Sequence, residues 1–179
     1  MKATIAALAV MGALASAAFG QSIGEKTGVN SALGITPTTA DFIKEAAMSD
    51  MLEIAAAKVA QEKGNSEEKT FAETMITDHT KTSSDLKDLV PGDMKTVIPT
   101  ALDESSQKKL DKLRDMRPQA FAGEYDPMQV SAHEDAVSLF ERYAKGGDNE
   151  MVKGWASKTL PALQHHLQMA QELNKNRKK

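Results

Sequence analysis

The sequence predicts an all-α protein: four long helices packed as a bundle, with a short extra helix in the connection between the second and the third. Three observations predict it. The composition favours helix: 41% of the 179 residues are hydrophobic but only 4% are aromatic, and ten Met sit among Ala, Leu, Glu, Lys and Gln, all strong helix formers. Few β-branched or aromatic runs are left to build strands. Apolar residues recur every three or four positions along four separate stretches, the spacing of one helical face. Capping and breaking residues punctuate the chain where those helices should start and stop.

Residues 1–20 read as an export signal. Lys2 precedes an apolar stretch from Ile5 to Phe19, and small residues follow a small-x-small pattern at Ala18-Phe19-Gly20 and, a little earlier, Ala15-Ser16-Ala17. A charged start, a short apolar core and such an end make a secretory signal peptide. The stretch is short and Ala-rich for a membrane anchor, and no other segment could cross a bilayer. Cleavage is expected between Ala18 and Gln21. Residues 21–38 contain Gly24, Gly28, Gly34 and Pro37 and read as a flexible lead-in. The bundle domain is expected over residues 39–174.

The first helix is predicted from Thr39 to Gly64, with Phe42, Ala46, Ser49, Glu53, Ala56 and Ala60 along its packing stripe. Asn65-Ser66 caps the second, and Glu67 and Glu68 suit the positive end of its dipole. Its stripe is Phe71, Met75, His79, Thr82, Leu86 and Leu89, and Pro91-Gly92 ends it. The connection from Val90 to about Asp126 is interrupted by Pro99 and holds the short extra helix near Glu104–Met116. The third long helix is predicted from Asp126 as N-cap with Pro127 in the favoured first position. An earlier extension through Phe121 and Tyr125 is the alternative. Gln129, His133, Ala136, Val137 and Phe140 lie on its apolar side, and Gly146-Gly147 closes it. Asp148 is the expected cap of the fourth helix, whose stripe is Val152, Trp155, Thr159, Leu163, His166, Ala170 and Leu173. Pro161 should bend it. The basic tail, residues 175–179, suits a helix C-terminus. Two short links and one long one make two hairpins whose joining segment is long enough to cross over, as in ferritin-like folds.

Several function classes are excluded or unsupported. A net charge of −3 gives no electrostatic footprint for nucleic acid. The absence of cysteine removes disulfides, thiol catalysis, cysteine-ligated zinc and iron–sulfur clusters. No Gly-x-Ser-x-Gly elbow and no glycine-rich phosphate loop occurs, so nothing in the motifs specifies an enzyme.

One polar residue interrupts each stripe: Glu53, His79, His133 and His166. A carboxylate in an apolar interior is costly unless it is paired or ligates a metal. Three neutral imidazoles and one carboxylate suit one divalent transition-metal ion, with zinc, iron, manganese or copper as candidates. The alternatives are hydrogen-bonded core histidines and a Glu53 paired with one protonated imidazole. His165 falls beside Lys158 and Glu172 on the polar face and is not expected to ligate. Met75 and Met169 lie near the stripe histidines; thioethers favour copper(I), but Met on a helix stripe usually fills core.

The run Phe71-Ala72-Glu73-Thr74-Met75-Ile76-Thr77-Asp78-His79-Thr80 resembles a signature of the DUF4142 family. So do Glu53 after Ser49-Asp50-Met51, His133 before Leu139-Phe140-Glu141, and Thr159 to Leu167 with His166 inside. The resemblance covers residues 39–173. It implies an exported, bacterial, ferritin-like bundle of unassigned role, periplasmic or associated with the outer membrane. It places the motif histidines on His79, His133 and His166, and Asp78 off the stripe, where it can orient a ligand. One departure matters. Ferritin-like di-iron sites use Glu-x-x-His pairs, whereas Ile76, Val130 and Leu163 stand three residues before these histidines. A single nitrogen-rich site is therefore expected, in a metal-handling or stress-response protein. A metal-dependent oxidoreductase acting on oxygen species and a purely structural or interaction protein are the alternatives.

Overall fold

A computed structural model describes residues 28–177. The predicted signal peptide and the first part of the lead-in lie outside the described residues. A short helix α1 (Val29–Ala32) leads into four long helices: α2 (Thr39–Lys63), α3 (Ser66–Leu89), α5 (Pro118–Gly146) and α6 (Glu150–Asn176). A 3-10 turn, Gly92–Val97, and α4 (Glu104–Asp115) occupy the connection between α3 and α5. No strand occurs among the described residues, and none of their helices is long and apolar enough to cross a membrane.

The caps explain most of the boundaries. Thr38 accepts from Asp41 N–H at the start of α2. Asn65 and Glu68 form a reciprocal capping box on α3, which satisfies two otherwise orphaned backbone donors. Gly64 fits that tight link because a Cβ there would lie 2.6 Å from the Ala60 carbonyl oxygen.

Two predicted starts move. The helix α5 begins at Pro118, not at Asp126, so Asp126 is an interior residue, 1% exposed, and Pro127 lies inside the helix. The helix tolerates Pro127 because Pro127 and Gly123, four residues before it, are both exposed: water can satisfy the freed carbonyl. The same holds for exposed Pro161 and Ser157 in α6, which runs through Pro161 as continuous helix. Asn149, not Asp148, caps α6, accepting from Met151 and Val152 N–H at 3.1 Å. Asp148 instead accepts from the Thr39 hydroxyl. Asn149→Ala is expected to cost about 1 kcal/mol, read as a lower urea midpoint with an unchanged slope.

The long helices form a ring in which α2 packs on α3 and α5, and α6 packs on α5 and α3. At one end, Thr39 hydrogen-bonds Tyr143 at 2.6 Å. At the other, Lys63 donates to the Met116 carbonyl at 2.8 Å, and Arg177 lies 3.6 Å from Asp126. The helices α2, α3, α5 and α6 therefore run down, up, up and down. The connection through α4 traverses the length of the bundle, and diagonal helices are parallel. This single crossover is the connectivity that ferritin-like folds use. Part of the lead-in is docked on α5: Ser31 bonds Ser138 at 2.9 Å, and Arg142 donates to the Ile35 carbonyl at 2.6 Å.

The apolar core is in two parts. One, at the α2 start, gathers Phe42, Leu86, Phe140, Tyr143, Val152 and Leu163; Phe42 stacks on Tyr143 with centroids 4.1 Å apart. The other gathers Phe71, Met75, Leu113, Phe121, Tyr125 and Leu173. His79, His133 and His166 fall between the two in the order of their helices, Glu53 directly follows Leu52 at the edge of the second part, and all four are buried.

Candidate metal centre

Each histidine is held at its outer nitrogen. His79, between Met75 and Leu86 on the inner stripe of α3, donates from Nδ1 to Asp50 Oδ1 at 2.8 Å. Asp50 is buried on α2, and its other oxygen accepts from the Thr82 and Ser83 hydroxyls at 2.8 and 3.1 Å. His133 on α5 donates from Nδ1 to the Gln129 carbonyl one turn earlier, at 2.8 Å. His166 on α6 donates from Nε2 to Asp78 Oδ2 at 2.8 Å. Carboxylate and carbonyl oxygens only accept, so these bonds place the proton of each neutral ring on the outward nitrogen.

The inward nitrogens, Nε2 of His79, Nε2 of His133 and Nδ1 of His166, are buried and have no hydrogen-bond partner. One ligating nitrogen from each ring lies within 4.8 Å of the others. The three ring centroids form a nearly equilateral triangle with sides of 5.8, 5.5 and 5.6 Å. Such a group could hold a metal ion, and the outer bonds lie where metal sites fix ring orientation and tautomer.

Electrostatics distinguish the three rings. Burial pushes the His79 pKa down, but the Asp50 hydrogen bond and the charges of Asp50, Glu53 and Asp78 outweigh it and leave the pKa above its ordinary value. Burial leaves His133 below its ordinary value despite Glu53 and the Gln129 carbonyl. Burial brings His166 down to about 4, against the pull of its Asp78 bond. That bond is the most solvated of the three, since the Asp78 side chain is 44% exposed.

Glu53, the fourth predicted ligand, is 1% exposed on α2, and neither carboxylate oxygen has a partner. It stands outside the three-nitrogen group, yet its charge bears on both His79 and His133. His165 is exposed, as its place on the polar face predicts, and Met75 is packed in the apolar core.

Sequence reasoning passed over two contributors. Asp50 enters the sequence reading only as a neighbour of Glu53, but the line Ile43, Ala47, Asp50, Ala57, spaced by four, three and seven, marks it as part of a second inward row on α2. Gln129 was read as stripe alone, but its carbonyl orients His133, and both side-chain polar atoms are buried without partners.

The sequence profile of the domain of unknown function DUF4142 matches residues 24–173. The chain belongs to the DUF4142 family. The match spans the bundle up to the last turn of α6, so the histidine centre of this DUF4142 protein lies inside the family's domain and not in an appendage to it. No curated protein and no solved structure matches the chain significantly.

Proposed function

We propose that the protein is an exported, ferritin-like bundle that holds one divalent transition-metal ion, with His79, His133 and His166 as ligands and Glu53 as the fourth donor. One observation carries this reading: three buried imidazole nitrogens, each left unprotonated by an outward bond, face one another without partners. Lone pairs crowded in a dry interior repel, and a buried carboxylate beside them is costly. A cation at their centre relieves both.

The nitrogen-rich donor set suits zinc, copper or iron better than magnesium or calcium. A single inward carboxylate does not furnish the paired carboxylates of a di-iron centre. The reading is therefore metal handling or stress response in the periplasm or at the outer membrane, rather than catalysis. The export half rests on the signal-like residues 1–20.

Elemental analysis of protein purified from its native compartment, without a metal-affinity tag, tests the proposal. About one equivalent of one transition metal per chain is expected. A chain that is metal-free as isolated and that takes up no zinc, iron, manganese or copper in titration would leave the histidines as a structural polar layer. N-terminal sequencing of the same sample tests export, with a start between Ala18 and Gln21 expected. Asp50→Asn and Asp78→Asn should each weaken binding by about 10–100-fold, measured by competition with a chromophoric chelator. Asp50 should matter more, because its side chain is 9% exposed against 44% for Asp78.

A further inference from the structure

A cleft of about 300 Å³ runs along the seam of α2 and α5, and Glu53 is part of its lining. Glu53 lines the cleft with the neighbour of one histidine, Ala132, and its charge bears on His79 and His133. Small side chains, Ser49 and Ala132, line it from the two helices, and the acids Glu45 and Asp135 stand with them. The cleft also contains Lys109 and Arg142, but the Arg142 guanidinium donates to the Ile35 carbonyl. Glu53 belongs to the cleft and to the surroundings of the centre, and its two oxygens are buried without partners.

We infer that this cleft is the entry route by which a divalent cation reaches the three histidines, and that Glu53 is the carboxylate that receives the ion there and passes it inward. The inference rests on the metal reading above. A cation shedding water needs an oxygen donor on the way to a nitrogen-lined site, and a carboxylate with free lone pairs is such a donor. Asp135 is exposed, so it contributes attraction that falls with ionic strength.

The experiment is metal exchange measured apart from affinity. Stopped-flow association of cobalt(II) or zinc(II) with the full apo-protein, and removal by excess chelator, are compared in the parent, Ala132→Phe and Asp135→Lys. A blocked route slows entry and exit together and leaves their ratio alone. Ala132→Phe is expected to slow both at least about 10-fold with equilibrium affinity unchanged. Asp135→Lys leaves the interior intact and should slow association several-fold at low salt, an effect lost at high salt. The same change at Glu73, exposed on α3 away from the cleft, should do neither. If the parent binds metal but Ala132→Phe and Asp135→Lys exchange it at the parent's rate, the route is overturned and the metal reading stands. Slowing by Asp78→Asn alone would place entry at the His166 side and also overturn it. A parent that binds no ion at equilibrium overturns both.

Discussion

Replacing any one of His79, His133 or His166 by alanine is expected to lower affinity for the ion by more than about 100-fold, beyond the range for loss of an orienting residue. His165→Ala should leave it unchanged. The expectation comes from geometry. Each stripe histidine comes from a different helix, each is buried, and each presents one unpartnered nitrogen to the other two. Removing one leaves two imidazoles and Glu53, one donor short of the closed four-fold coordination that transition ions take in structural sites. His165 is the internal control because it precedes His166 in sequence yet lies exposed. Competition titration with a chromophoric chelator measures the change. Affinities equal to the parent's in all three stripe variants would sink the ligand assignment, and circular dichroism of each variant separates loss of ligand from loss of fold. Glu53→Ala is a poorer test, because deleting a buried charge also relieves an empty site.

The second large effect is on stability. Asp126 is 1% exposed, with one oxygen 3.6 Å from the Arg177 guanidinium and the other unpartnered. Burial first, then the charge of Glu68, raises its pKa from 3.8 to about 7, while Arg177 opposes the rise. Between those two values the folded chain holds a proton that the unfolded chain has released. Stability from this group is therefore fully present below about pH 4 and falls as pH rises towards 7. Asp126→Asn should remove that dependence. At about 1.4 kcal/mol per unit, the variant should be more stable than the parent by about 2–4 kcal/mol at pH 8, and by clearly less at pH 5. Urea denaturation of the metal-free proteins at the two pH values measures it. A difference that does not change with pH would refute the assignment to Asp126.

Much of this was legible in the sequence because an amphipathic stripe is a direct imprint of burial. Phe42, Ala46, Glu53, Ala56 and Ala60 are buried on α2, as their spacing predicts, while Ser49 of the same stripe is half-buried. The start of α5 was legible only as the alternative, the extension through Phe121 and Tyr125, because Asp126-Pro127 imitates a cap and a first-turn proline. Only the tertiary position of the preceding helical residues, 118–125, distinguishes them. The crossover was open for a related reason: helix direction depends on which ends meet, as Thr39 meets Tyr143. In the site, the three histidines stood out as polar breaks in apolar rows. Asp50 did not, since an acid beside a stripe looks solvated until its partners on the next helix are known. Asp78, off the stripe, is expected to cap, to pair or to orient a ligand, and it bonds His166.

The division of the apolar core has a consequence for cooperativity. Every long helix contributes to both apolar clusters, but at mid-height the contact between helices passes through imidazoles and carboxylates. Opening of one half need not propagate to the other when the layer between them is loosely tied. An ion bound by α3, α5 and α6 at that height would bind the folded chain alone and stabilise it in proportion to the logarithm of its concentration. It would also act as a rivet between the halves. Metal-free protein should then exchange its amide hydrogens as two blocks, and loaded protein as one.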